Sequence, residues 1–127
     1  MSDEQRARLR DDLRREAWDA LAEYVEWGNG LVKMSRWAQP YLVLTICRLL
    51  RTIEFGDVTG KALAGEWAMN RLPDWKTVIR RALDDRPDPW TRVHQVTDAS
   101  DVETTRAFLW DIERRFLNAA TKDLTPT

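Results

Sequence analysis

The segment 41–55 places the tightest limit on what this chain can fold into. Leu42, Val43, Leu44, Ile46, Cys47, Leu49, Leu50 and Ile53 fall at positions that cover nearly the whole circumference of a helix. A surface helix shows a single apolar stripe, whereas one that is apolar all round belongs at the buried centre of a bundle. A buried strand is the other solution for an apolar run, but this run is longer than strands usually are. Pro40 sits where a first helical turn accepts it, and Gly56 follows where a helix can stop. Arg48 and Arg51 must then reach the margin of the bundle or find carboxylate partners.

The flanking segments supply the partners for such a helix. Ser2 with Gln5 matches the S-x-x-Q capping box, and Leu9, Leu13, Ala17, Leu21, Tyr24 and Gly28 recur behind it at helical spacing. This predicts one long amphipathic helix with an i,i+4 pair, Asp11 and Arg15, on its polar side, stopping at Gly28-Asn29-Gly30. A third helix is expected from Thr59 or Gly60 to Leu72, rich in small residues and ended by Pro73. Pro73 and Asp74 begin a fourth, carrying Trp75, Val78, Ile79, Ala82 and Leu83. Ser100 with Glu103 forms a second capping box, ahead of a last helix through Val102, Leu109, Ile112 and Phe116 to about Ala120. No alternating strand pattern bounded by hairpin turns and no internal repeat is visible. The expectation is therefore an all-α, five- to six-helix bundle, a single helical domain over 1–127 with a buried central helix at about 41–55.

Charge and composition exclude several functions. Lys and Arg number 20 against 21 Asp and Glu, a net charge of −1, so the basic footprint of a nucleic-acid binder is missing. The longest apolar stretch, 41–47, falls far short of the ~20 residues that cross a bilayer. The first residues, Met1 to Gln5, form no apolar leader core, and the single cysteine, Cys47, cannot close an internal disulfide. A cytoplasmic protein that binds neither nucleic acid nor membrane is expected.

Catalytic motifs are scarce. His94 is the only histidine, which leaves no zinc site to assemble. A pairing of Cys47 with His94 as nucleophile and base is opposed by the apolar setting of Cys47, because burial raises a thiol's pKa and makes it inert. Gly56-Asp57-Val58-Thr59-Gly60-Lys61-Ala62 resembles a phosphate loop, but three residues separate the glycines instead of four and Ala follows the Lys. What remains is Lys61 at a helix start, where amide N–H groups and the helix dipole favour an anion; a solvated lysine is the alternative. Asp84, Asp85 and Asp88 read as a solvated helix exit. No catalytic and no metal-binding residue is assigned.

The blocks Val43-Leu44-Thr45-Ile46-Cys47-Arg48, Thr59-Gly60-Lys61, Glu66-Trp67-Ala68-Met69-Asn70-Arg71-Leu72-Pro73 and Thr77-Val78-Ile79 carry more than periodicity. In order and spacing they resemble the C-terminal helical domain of aminoglycoside adenylyltransferases of the streptomycin and spectinomycin type, most densely over 41–83. Enzymes of that family bind ATP and the antibiotic in the cleft between this domain and an N-terminal nucleotidyltransferase domain, and transfer AMP to a drug hydroxyl. The resemblance implies that Lys61 reaches the nucleotide phosphates and that Trp37 and Tyr41 stand at drug-contact positions. Trp67, Arg48 and Leu72 match too, and are expected to hold the bundle together.

The family chemistry also needs a Gly-Ser followed by Asp-x-Asp to hold magnesium against the phosphates. These 127 residues contain neither. The resemblance thus implies a free-standing or excised binding half, without activity alone, that uses ATP and magnesium only with a nucleotidyltransferase-domain partner and meets an aminoglycoside-like ligand. The rival expectation is a non-enzymatic interaction module or homodimer, favoured by Trp18 and Trp27 lying off the main stripe of the first helix.

Overall fold

A computed structural model describes residues 1–30, 38–85 and 99–118. Among the described residues there are five α-helices: α1 (Asp3–Gly30), α2 (Ala38–Phe55), α3 (Lys61–Arg71), α4 (Lys76–Asp85) and α5 (Ala99–Ile112). A 3₁₀ turn, Pro73–Trp75, precedes α4, and a π-helical run, Glu113–Asn118, follows α5. No strand occurs among the described residues, so the all-α expectation holds.

Helix α1 spans 28 residues, about 42 Å of rise. Its capping box forms as expected: Gln5 N donates to Ser2 Oγ at 3.1 Å and Ser2 N to Gln5 Oε1 at 2.8 Å. Asp3 and Glu4 in the first turn complement the helix dipole. The predicted stripe becomes core only from Ala17 onward, with Leu21 following and Val25 buried beside it; Leu9 is exposed. The polar side pairs at i,i+3 instead of the expected i,i+4, Arg14 with Asp11 at 3.4 Å and Arg15 with Asp12 at 3.7 Å.

Gly28 does not end the helix, which continues to Gly30. A Cβ there would stand 2.5 Å from Leu109 Cδ1 and 2.7 Å from Leu42 Cδ2. The missing side chain lets α1, α2 and α5 approach one another, a packing role besides its place in the predicted stop at Gly28-Asn29-Gly30.

Helix α2 is the centre, packed against α1, α3, α4 and α5. Leu42, Val43, Leu44, Thr45, Ile46, Cys47, Leu49, Leu50 and Thr52 are all buried. Burial pushes the Cys47 thiol up to about 12, which keeps it protonated and unreactive, as its setting suggested. Arg51 meets Asp57 at 2.6 Å. The helix ends where Gly56 takes φ +71° and donates its N–H to Thr52 O at 2.7 Å.

Small residues bring α3 onto this centre. Ala64, Gly65, Ala68 and Met69 are buried, and a Cβ on Gly65 would meet Leu83 at 2.9 Å and Leu44 at 3.1 Å. Pro73 supplies no N–H to extend the helix. Trp75 N instead donates to Leu72 O at 2.9 Å, turning the chain into α4. Helix α5 begins at Ala99, so Ser100 lies inside its first turn and not at the predicted cap; its carbonyl accepts from Thr104 Oγ1 at 2.8 Å. Arg81 grips both carboxylate oxygens of Asp101 and so ties α4 to α5. The expected end of this helix near Ala120 lies outside the described residues.

Asp111, buried at the end of α5, accepts from Trp75 Nε1 at 2.7 Å and from Arg114 at 2.7 Å, with Arg115 Nε at 3.0 Å. Burial alone would raise its pKa, but the bonds from Trp75 and Arg114 and the nearby Arg115 charge outweigh that and hold it below the usual carboxylate value. A depressed carboxylate stabilises the fold above its unfolded pKa and loses that contribution as pH falls through the folded value. Asp111→Asn is therefore expected to lower stability by about 1–2 kcal/mol at neutral pH. Its deficit should shrink as the pH falls below the ordinary carboxylate range and Asp111 takes up its proton. Urea midpoints of both proteins across that range check this.

Candidate functional site at the α1, α2 and α3 junction

Lys61 is the first residue of α3, behind the N-cap Gly60. No side chain caps this end and no acidic residue occupies its first turn, so its leading amide N–H groups retain their pull on an anion. A Cβ on Gly60 would touch nothing within 4 Å. The Lys61 ammonium lies 4.0 Å from the centre of the Tyr41 ring, a cation–π contact. Two residues singled out on different helices are thus brought together.

Tyr41 sits in the first turns of α2 and leans toward α1. Its hydroxyl is 3.4 Å from that of Tyr24, and the two rings are 6.4 Å apart at 56°. Trp27 meets Tyr24 edge-on, centroids 6.3 Å apart, while remaining 43% exposed. A row runs from Trp27 through Tyr24 and Tyr41 to Lys61. The hydrogen bond with Tyr41, and then burial, push the Tyr24 phenol above its ordinary pKa; the Arg48 charge works in the opposite direction.

Arg48 lies seven residues after Tyr41 on α2, and Thr45 lies between them, so helical periodicity sets all three on one face. Arg48 is half-buried. Unlike Arg51 it forms no ion pair with a carboxylate among the described residues. Thr45 is 3% exposed and its Oγ1 has no hydrogen-bond partner among the described residues. Two cations, two phenols and a buried hydroxyl therefore share one corner of the bundle, which suits it to anionic and aromatic chemistry.

The other candidates separate cleanly. Trp37 lies outside the described residues, as do His94 and Asp88. Glu54 and Asp57, the carboxylates that precede Lys61 in sequence, are taken up by Arg71 at 3.4 Å and Arg51 at 2.6 Å. Trp67 packs edge-on against Phe55 at 6.0 Å and Leu72 is buried, the structural parts expected of them. Sequence reasoning placed Tyr24 only in an apolar stripe and gave Arg48 a structural part. The signals that single them out are a phenol in an otherwise aliphatic stripe and a charge on a buried helix.

The fold and this corner define a class: an all-α domain with cations and aromatic rings gathered where three helices meet. Among its described residues no group of His, Cys, Asp and Glu could hold a metal ion, and no helix is long and apolar enough to cross a membrane. The chain belongs to the aminoglycoside adenylyltransferase C-terminal domain family, whose model matches residues 12–110. No curated protein and no solved structure matches it.

Proposed function

We propose that this domain is the ligand-side half of a nucleotidyltransferase, receiving nucleotide phosphates at Lys61 and Arg48 and an aminoglycoside-like molecule beside Tyr41 and Trp37. The observation that carries this reading is the cation–π contact of 4.0 Å between Lys61 and Tyr41 at an uncapped helix start. An ammonium, a guanidinium and free helix amides converge on one corner, and phosphate oxygens satisfy all three kinds of donor. AMP transfer requires a nucleotidyltransferase partner domain, because these 127 residues contain no Gly-Ser and no Asp-x-Asp to hold magnesium.

Calorimetric titration with Mg-ATP, then with streptomycin and spectinomycin, tests the reading. Lys61→Ala is expected to weaken Mg-ATP binding at least about tenfold, the worth of one charge-assisted contact. Absence of heat with every ligand would sink it. A second reading, self-association or protein interaction, is favoured by Trp110, which is 63% exposed on α5 with Arg114 5.5 Å from its ring. Tryptophan and arginine are enriched at interface hot spots. An apparent size that grows with concentration, in protein showing no ligand heat, would select it.

A further inference from the structure

We propose that Tyr24 of α1 is a positioning residue for Lys61, acting through Tyr41. The inference deepens the ligand-side reading and rests on it only for its affinity consequence. Lysine carries its charge on a flexible four-carbon stem, so a lysine at a helix start sweeps a wide volume unless something holds the ammonium. Here the Tyr41 ring holds it, at 4.0 Å from the centroid.

That ring must itself be held. Tyr41 is half-buried in the opening turns of α2, and among the described residues an aromatic side chain from α1 faces it. Tyr24 stands between the buried Leu21 and Val25, so its own backbone is fixed by the core. Its ring lies at 56° to that of Tyr41 and its hydroxyl reaches the Tyr41 hydroxyl at 3.4 Å, a long bond that still restricts where the Tyr41 side chain swings about χ1. Trp27 closes the far side of Tyr24 at 89°. Order is thus passed from the core of α1, through two phenols, to a charge at the start of α3.

A space-filling role does not require the Tyr24 hydroxyl; a positioning role does. Tyr24→Phe keeps the ring and its packing, which makes it the decisive variant, and loss of folding is not expected from it. The first readout is the spectrum of ε-¹³C-lysine in the full chain, which has four lysines, Lys33, Lys61, Lys76 and Lys122. Lys61 is assigned by the signal lost in Lys61→Arg. Its ε-methylene protons should be shifted upfield by the Tyr41 ring, and Tyr41→Leu should abolish that shift.

Tyr24→Phe is expected to move the Lys61 signal most of the way to its Tyr41→Leu position. It should also weaken Mg-ATP binding about two- to tenfold, the worth of one neutral hydrogen bond. In a Lys61→Ala background the same change should cost nothing further. A Lys61 signal that stays put in Tyr24→Phe overturns the proposal, whatever happens to stability. If the signal moves as expected but the unaltered protein binds no Mg-ATP, the positioning role stands and the phosphate-binding reading fails.

Discussion

Phe108→Ala is expected to destabilise the fold by about 3–5 kcal/mol, the usual cost of emptying a fully buried aromatic site. Phe108 is completely buried on α5, and its ring meets Trp75 edge-on with centroids 5.5 Å apart. Both the transfer free energy and the aromatic contact are lost, and neighbouring helices cannot close the gap fully. A domain of this size has only about 5–15 kcal/mol of net stability. The melting temperature should fall by roughly 10–20 °C, and thermal unfolding followed by circular dichroism measures it. Phe108→Leu should cost far less, about 1.5 kcal/mol or below. Because Trp75 also donates to Asp111, the effects of Phe108→Ala and Asp111→Asn should not add.

The second large effect is expected at Gly56. Its φ of +71° lies where side chains with a Cβ are strained. A Cβ would also stand 2.8 Å from Arg10 Cβ and 3.2 Å from Arg10 O, atoms near or on the backbone of α1 that cannot swing away. Gly56→Val combines the strain, the clash and a branched side chain, for a loss of about 2–4 kcal/mol. Gly60→Ala, in the same connection, is the control. Gly60 has φ −72° and open space around a Cβ, so alanine there should change stability by less than about 1 kcal/mol. Chemical denaturation of both variants separates the two glycines.

The central helix was legible because burial on every side leaves an unambiguous pattern in 41–55. The Ser2–Gln5 box was legible because capping is local, and the bonds it predicts form at 3.1 and 2.8 Å. The same motif at Ser100 misled, since Ala99 is already helical and Ser100 therefore lies inside the helix, where a four-residue match alone does not mark a cap. Leu9 continues the helical period yet is exposed, because periodicity cannot report how far the neighbouring helices extend. Gly28 reads in sequence as part of a stripe and of a helix stop; its packing role is set by Leu42 and Leu109, one from each of two other helices, which periodicity does not report.

The site divides in the same way. Lys61 and Tyr41 were visible separately, one from its place at a helix start and its match to the family, the other from that match alone. That the ammonium rests on the ring is tertiary information, since 20 residues of chain separate them. Tyr24 was hidden because an aromatic residue in an apolar stripe has the same spacing whether it fills core or supports a neighbour. Arg48 was hidden for the opposite reason: a charge near a buried helix is expected to find an ion pair, and only the structure shows that Arg51 does so and Arg48 does not.

Because α2 contacts every other helix, it can open only when the rest of the bundle opens with it. Tyr41 and Arg48 ride on that helix. A ligand that grips them holds the least separable part of the molecule, so local opening cannot release it and its binding adds RT ln(1 + [L]/Kd) to the free energy of global opening. A partner that takes hold of the exposed first turns of α1 meets a segment that can fray alone, so part of its binding free energy goes into ordering that segment first.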